Sequence, residues 1–127
     1  MADSTTELAV RDKVVVITGA ARGIGQEFAR SLAAAGAFVV AADISDWSAT
    51  LDLIKADNGK AIGVTLDVRS AESASDMTCA ATRAFGRVDA LINNAALYGA
   101  LRGGRFDAIA EMEWDAAMAV NVKGITD

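Results

Sequence analysis

Residues 14–25 of this 127-residue chain decide the fold, and they read VVVITGAARGIG. The stretch begins with a β-branched run at residues 14–17 that has no polar alternation. Such a run is typical of a strand that helices cover on both faces of a parallel sheet. It ends with three glycines, Gly19, Gly23 and Gly25, at the point where a helical pattern begins. The stretch therefore predicts a β-α unit of an α/β protein with a glycine loop between the strand and the helix.

The remainder of the chain repeats the alternation of strand and helix. Further strands are predicted at residues 37–42, 61–66 and 88–92. Three helices are indicated by apolar stripes at helical spacing, which consist of Ile24, Phe28, Leu32 and Ala35, of Trp47, Leu51 and Ile54, and of Met77, Ala81 and Ala84. The first helix should stop at Gly36, and the third should run from about Ser70 to Gly86. A last helix should begin near Glu111 and continue to Asp127.

This order predicts a Rossmann-type, doubly wound parallel sheet. Strands that alternate with helices pair in parallel through right-handed crossovers. The expected spatial order of the four strands is 3-2-1-4. We expect residues 1–11 to form a flexible polar arm and residues 12–127 to form the sheet with its helices. The fourth strand would then be an exposed edge carrying Val88, Leu91 and Ile92, which invites pairing with another chain and leaves a homo-oligomer open.

Composition excludes several classes of site and partner. The chain has no histidine and one cysteine, Cys79, so we expect no histidine base, no metal site and no internal disulfide. The net charge of −5 argues against a nucleic-acid partner, which needs a basic surface. The longest apolar run, residues 32–42, is too short to span a bilayer, so no membrane partner is expected. The N-terminus has no signal-peptide pattern, and a cytoplasmic location is the default.

The glycine loop has a physical reason to bind a pyrophosphate. A helix N-terminus offers unpaired N–H groups and the positive end of the helix dipole. Glycines allow the backbone to turn tightly and to approach phosphate oxygens without a Cβ in the way. The alternative is that the glycines only make a tight turn from strand to helix. The position between a strand and a helix favours dinucleotide binding.

The pattern Thr18-Gly19-x-x-x-Gly23-Ile24-Gly25 resembles the glycine motif of the short-chain dehydrogenase/reductase family. The resemblance implies that this loop, with Gly19, Arg22, Gly23, Ile24 and Gly25, binds the adenosine end of a nicotinamide dinucleotide. It also implies hydride transfer between that cofactor and an alcohol or ketone substrate.

Asp43, followed by Ile44, ends the second strand and bears on the choice between NAD and NADP. A carboxylate there can accept hydrogen bonds from the adenosine ribose hydroxyls and would repel a 2′-phosphate. At contact distance and an effective dielectric near 20, this repulsion is about 4 kcal/mol, or about a thousandfold in affinity. Arg22 favours the opposite choice, because a guanidinium can bind a 2′-phosphate. We expect NAD; the alternative is that Asp43 is a helix cap or a solvated loop acid, although Ser45 and Asp46 could cap instead.

Two further strand ends extend the resemblance. Asp67 and Val68 follow the third strand, where in the family an Asp bonds the adenine amino group and the next backbone N–H supports the ring. Asn93, Asn94, Ala95 and Ala96 end the fourth strand and resemble the family's N-N-A-G, with Ala96 in place of glycine. Asn side chains can tie neighbouring strand ends together, and the small residues would leave room for the cofactor ribose. The alternative for each pair is a simple turn.

The last helical segment carries Asn121, within Asn-Val-Lys-Gly. Asn is a poor helix former, so its presence in a helical segment indicates a role other than helix formation. The resemblance implies a catalytic role, in which the local carbonyl geometry helps to hold a water of the proton relay. The alternative is a solvated or locally bonded Asn.

The family's Ser, Tyr and Lys, which handle the proton at the substrate oxygen, have no counterpart in the chain. Tyr98 is the one tyrosine and has Arg102 four residues on, but it follows the fourth strand and Arg does not replace Lys simply. We expect the chain to carry the N-terminal, cofactor-binding half of a dehydrogenase and to be inactive alone. The alternatives are a non-catalytic dinucleotide-binding module that acts through a partner and, less well matched, a methyltransferase on a similar sheet.

Overall fold

A computed structural model describes residues 9–97 and 104–126 of the chain. Strands and helices alternate through these residues. In chain order they are β1 (Val14–Thr18), α1 (Gly23–Ala34), β2 (Phe38–Asp43), α2 (Ser48–Ala56), β3 (Lys60–Thr65), α3 (Ala71–Phe85), β4 (Ala90–Ile92) and α4 (Glu111–Asn121). Single 3₁₀ turns lie at Phe106–Ala108 and Lys123–Ile125.

The four strands form one parallel sheet in the order β3-β2-β1-β4, which confirms the predicted topology. β1 lies in the interior of the sheet, where Val16 pairs with Val40 of β2 on one side and with Leu91 of β4 on the other. Every residue of β1 is buried, as its unbroken apolar run predicted. Three strands lie within one residue of their predicted starts, and β4 is shorter than predicted because it begins at Ala90.

Each face of the sheet has its own core, because side chains of a strand alternate between faces. On one face, Val15 and Ile17 of β1 pack with Ala29 of α1 and Ile54 of α2. On the other face, Val14 and Val16 pack with Met77 and Ala81 of α3. The helices therefore cover both faces, as in a doubly wound sheet.

Only part of the predicted apolar stripe of α1 enters the core, because Leu32 packs against it and Ala35 is buried. Ile24 is 66% exposed and Phe28 is 43% exposed. The buried residues of α1 are small: Gly25, Ala29 and Ala33. Small residues let the helix backbone approach the sheet closely, so the start of α1 buries Gly25 and Ala29 and leaves Ile24 and Phe28 exposed.

The two middle helices follow their predictions more closely. α2 buries Ile54 but also Thr50, while Trp47 lies just before the helix and packs over Gly63 of β3. α3 begins after Ser70, whose side chain accepts the N–H of Ser73 at 3.1 Å, and ends before Gly86 as predicted. It buries Met77 and Ala81, whereas Ala84 is exposed.

The last helix is shorter than predicted. α4 ends at Asn121 and does not continue to Asp127, a residue that lies outside the described ones. At this end the Asn121 side chain bonds Leu97 in the chain after β4, and Gly124 of the 3₁₀ turn that follows lies against Val68. No residue of α4 is buried.

Residues 1–8 of the predicted arm lie outside the described residues, whereas Val10 packs against the core beside α1. In residues 9–97 and 104–126, no helix is long and apolar enough to cross a membrane.

Candidate functional site

The carboxyl ends of all four strands meet at one edge of the sheet, because the strands are parallel. This edge carries the glycine loop after β1, Asp43 at the end of β2, Asp67 after β3 and Asn94 after β4. The structure therefore brings together, at one edge, the four segments that the sequence singled out separately.

Glycine is needed at position 25 for close packing, whereas Gly23 leaves an open position on the backbone. A Cβ at Gly25 would overlap the carbonyl oxygen of Gly19 and the side-chain nitrogen of Asn94. Gly25 is thus required by the contact of α1 with β1 and β4. Gly23 has a φ of +59° and has no atom within 4 Å of where a Cβ would lie. Its backbone faces open space at the first residue of α1, so a ligand can approach it.

The N-terminus of α1 is not closed by the chain's own side chains. Arg22 precedes the helix without a capping hydrogen bond, and the first turn holds no acidic residue. α3 differs, since Ser70 caps it and Glu72 lies in its first turn. The positive end of the α1 dipole is therefore left for an anion from outside the helix.

Asn94 and Thr18 tie the end of β1 to the end of β4. The Asn94 side chain donates to the carbonyl oxygens of Thr18 and Gly19, each at 3.2 Å. The buried Thr18 hydroxyl accepts the backbone N–H groups of Asn94 and Ala95, each at 3.0 Å. The prediction that an Asn ties neighbouring strand ends is confirmed. Ala95 is half-buried and Ala96 is exposed, so the chain beyond this tie faces outward.

Asp43 is joined to the glycine loop by a direct hydrogen bond. One carboxylate oxygen accepts the backbone N–H of Ala21 at 2.9 Å, and the other accepts that of Ser45 at 2.9 Å. Asp43 is not the cap of α2, because Asp46 accepts the N–H of Ser48 at the start of that helix. The carboxylate is therefore fixed at the boundary between the loop and the end of β2, with the exposed Ile44 beside it.

Two polar side chains hold the loop from the core side. Thr50 of α2 is 0% exposed, and its hydroxyl donates to the carbonyl oxygen of Ala20 at 2.6 Å. The side-chain amide of Gln26, in α1, donates to Thr50 at 3.1 Å and to the carbonyl oxygen of Ala21 at 3.2 Å. Sequence reasoning missed both residues. Neither residue carries a distinguishing sequence signal, because the burial of Thr50 is seen only in the fold.

Asp67 forms a bidentate ion pair with Arg69. The guanidinium Nε and Nη2 atoms donate to the two carboxylate oxygens, each at 2.9 Å. These hydrogen bonds hold the pKa of Asp67 below its ordinary value. Asp67 thus stays charged, and any ligand amino group would share its oxygens with Arg69.

Asn121 bonds to the chain after β4 through both ends of its amide. Its oxygen accepts the N–H of Leu97 at 2.6 Å, and its nitrogen donates to the Leu97 carbonyl at 3.1 Å. This pair anchors the end of α4 near the strand ends. The adjoining turn also touches this edge, because a Cβ at Gly124 would lie 2.8 Å from Val68. Tyr98 and Arg102 lie outside the described residues.

Known proteins resemble the chain in both sequence and fold. The family model described as short chain dehydrogenase matches residues 13–127. The short-chain reductase protein NovJ of Streptomyces niveus is 38% identical over 126 residues, covering 97% of this chain and 47% of NovJ. A hydroxysteroid dehydrogenase of known structure from Escherichia coli is 30% identical with a TM-score of 0.85, covering 97% of this chain and 52% of that one. 

A third similar protein has a cofactor in its structure. This Agrobacterium tumefaciens protein, with NADP bound, is 35% identical with a TM-score of 0.77, covering 91% of this chain and 44% of the other. The chain spans about half the length of the curated relatives it matches.

Proposed function

Because this chain belongs to the short-chain dehydrogenase family, we propose that it forms the cofactor-binding half of an NAD-dependent oxidoreductase acting on an alcohol or ketone. The family binds NAD or NADP, and the nicotinamide ring, when bound, supplies or accepts the hydride. The residues of this chain would bind and orient the adenosine and pyrophosphate portion.

The single observation that carries the proposal is the open start of α1. Gly23 has no neighbour on its exposed side, and the helix N-terminus lacks a capping side chain. A Cβ-free backbone beside uncapped N–H groups fits a pyrophosphate, since the dipole favours negative charge there. Asp43 lies next to this position, tied to Ala21, where a ribose attached to that pyrophosphate would reach it.

Asp43 also supports NAD over NADP. Its carboxylate is held by two N–H donors and still offers acceptor lone pairs, so it could bind ribose hydroxyls. A 2′-phosphate at the same point would meet its negative charge, at a cost of about 4 kcal/mol. Arg22 is exposed and could offset part of this cost. We place more weight on Asp43, because two hydrogen bonds fix its position.

Titration of the chain with NAD and with NADP tests this proposal. We expect NAD to bind at least tenfold more tightly, and Asp43→Asn to reduce that ratio because it removes the repelling charge. Asp52→Asn is the matched control, since Asp52 is an exposed acid of α2 that lies outside the strand ends. Equal or tighter binding of NADP would overturn the choice of cofactor, and no binding of either would overturn the proposed function.

We propose further that the chain alone does not turn over substrate. The family's Ser, Tyr and Lys have no match at the family's spacing, and Tyr98 is the only tyrosine. Asn121 would serve as a positioning group near the reaction, through its bonds to Leu97. Assaying purified chain for NAD-dependent alcohol oxidation tests this, and measurable turnover would contradict it.

The second candidate is a dinucleotide-binding module that acts through a partner. The exposed edge of β4 favours it, since Leu91 is 50% exposed there and could pair with another strand. We propose that the chain forms a homo-oligomer through this edge, and that it does so in the cytoplasm. Light scattering at increasing concentration distinguishes an oligomer from a monomer.

A further inference from the structure

We propose that Thr50 and Gln26 are positioning residues for dinucleotide binding. They hold the glycine loop in a fixed position relative to Asp43. This role rests on the proposed function. It concerns residues that the glycine motif does not contain, one of them on a different helix.

Thr50 is completely buried. A hydroxyl with 0% exposure costs free energy unless its hydrogen bonds are made. Thr50 makes them with the loop, donating to Ala20 and accepting from Gln26. The acceptor lies 30 residues away in sequence, so this contact is not a local helix bond. A valine of the same shape would fill this site without that cost, which leaves the loop contact as the reason for a hydroxyl.

Ala20 and Ala21 have both their backbone N–H and their carbonyl groups hydrogen-bonded. Their carbonyl oxygens accept from Thr50 and Gln26 on the core side. Their N–H groups donate in the other direction, to the Ala42 carbonyl at 3.1 Å and to the Asp43 carboxylate at 2.9 Å. Ala20 and Ala21 are thus clamped between the helices and β2, and neither has a backbone donor left for a ligand.

This clamp has a consequence for the ligand. The donors for a pyrophosphate are instead the N–H groups at the open start of α1 around Gly23. Their direction, and that of the Asp43 carboxylate, depend on where Ala20 and Ala21 are held. Loss of the Thr50 hydroxyl would free the Ala20 carbonyl and let the loop move relative to Asp43.

Titration of matched variants with NAD tests the role, at a temperature where circular dichroism shows each variant to be folded. We expect Thr50→Val to raise the Kd about tenfold. Thr50→Ser keeps the hydroxyl and should restore the Kd to within about twofold of the original. Thr78→Val is the control, because the Thr78 hydroxyl also donates to a carbonyl, that of Ala74 at 3.0 Å, but on the exposed face of α3. Its Kd should not change.

A purely structural role would lower the thermal midpoint of Thr50→Val and leave its Kd for NAD unchanged, and that result would overturn the inference. If Thr50→Val does not fold, Gln26→Leu decides, since Gln26 is only half-buried. We expect it to raise the Kd about fivefold, and an unchanged Kd overturns the inference. A chain that binds no NAD overturns the inference together with the proposed function, whereas normal binding by Thr50→Val overturns the inference alone.

Discussion

Substituting each of two loop glycines by alanine separates the packing role of the motif from its ligand role. At Gly25 the new Cβ would overlap the Gly19 carbonyl and the Asn94 amide nitrogen. Forcing a methyl group into a packed site costs about 1–3 kcal/mol. Displacing Asn94 would also break its two bonds to Thr18 and Gly19, at about 1 kcal/mol each.

Alanine regains about 1 kcal/mol through its higher helix propensity. We therefore expect Gly25→Ala to lower the free energy of unfolding by about 2–4 kcal/mol. At Gly23 no atom is in the way, but a φ of +59° costs an alanine about 1–2 kcal/mol. Gly23→Ala should thus be the milder change for stability, and it should still weaken NAD binding because its methyl group would face the ligand.

Urea unfolding followed by circular dichroism measures both stabilities, and NAD titration measures the second effect. A fall of less than about 1 kcal/mol in the unfolding free energy of Gly25→Ala would refute the packing role of Gly25. A Gly25→Ala variant that is more stable than Gly23→Ala would refute it as well. An unchanged NAD affinity in Gly23→Ala would refute the assignment of that open position to a ligand.

Three other perturbations have defined outcomes. Asp89 accepts the N–H of Val14 at 2.8 Å, which holds the pKa of its carboxyl below its ordinary value, so its contribution to stability is present above the ordinary pKa and is lost as the pH falls through the lowered pKa. Acid unfolding curves should therefore be flatter for Asp89→Asn, and identical curves would contradict this. Asn121→Ala removes both bonds to Leu97 and should lower the unfolding free energy by about 1–3 kcal/mol in urea, with Asn93→Ala as an exposed control. Leu91→Lys should abolish concentration-dependent association in light scattering, since it places a charge on the exposed edge, and a parent chain that is monomeric at every concentration would sink that expectation.

The topology was predictable from sequence because its signals are strong and local. The unbroken apolar run of β1 and the glycines after it identify a buried parallel strand that leads into a helix. The same applies to the end of α3, where Gly86 stops the helix. These features depend on a few neighbouring residues, which a single sequence displays.

The prediction of the buried face of α1 was wrong at Ile24 and Phe28, and the predicted end of α4 was wrong, because both depend on distant contacts. α1 turns Gly25, Ala29 and Ala33 inward since the loop and the sheet demand close approach, which hydrophobicity alone does not express. α4 ends where Asn121 reaches Leu97, 24 residues earlier in the chain. The chain has no proline there, and its glycine, Gly124, lies three residues beyond the end of the helix.

Within the site, the residues at the strand ends were predicted from the sequence. The side chains that hold the glycine loop in place were not. Asp43 and Asn94 follow recognisable strands, so their meeting at one edge follows from parallel pairing. Thr50 and Gln26 could not be predicted in this way, because a polar side chain on an amphipathic helix ordinarily faces solvent. Only the fold shows that Thr50 points at Ala20.

The tie between β1 and β4 has a consequence for the order of folding. Asn94 and Gly19 are 75 residues apart in the chain, whereas Asp43 and Ala21 are 22 apart. The entropy of closing a loop grows with its length, and pairings of long sequence separation form slowly. We therefore expect β1, α1 and β2 to associate first and the β4 junction to be completed late. During synthesis, the glycine loop would bond to Asp43 long before Asn94 bonds to it from the other side. The site would therefore stay incomplete until β4 has been made and has paired with β1.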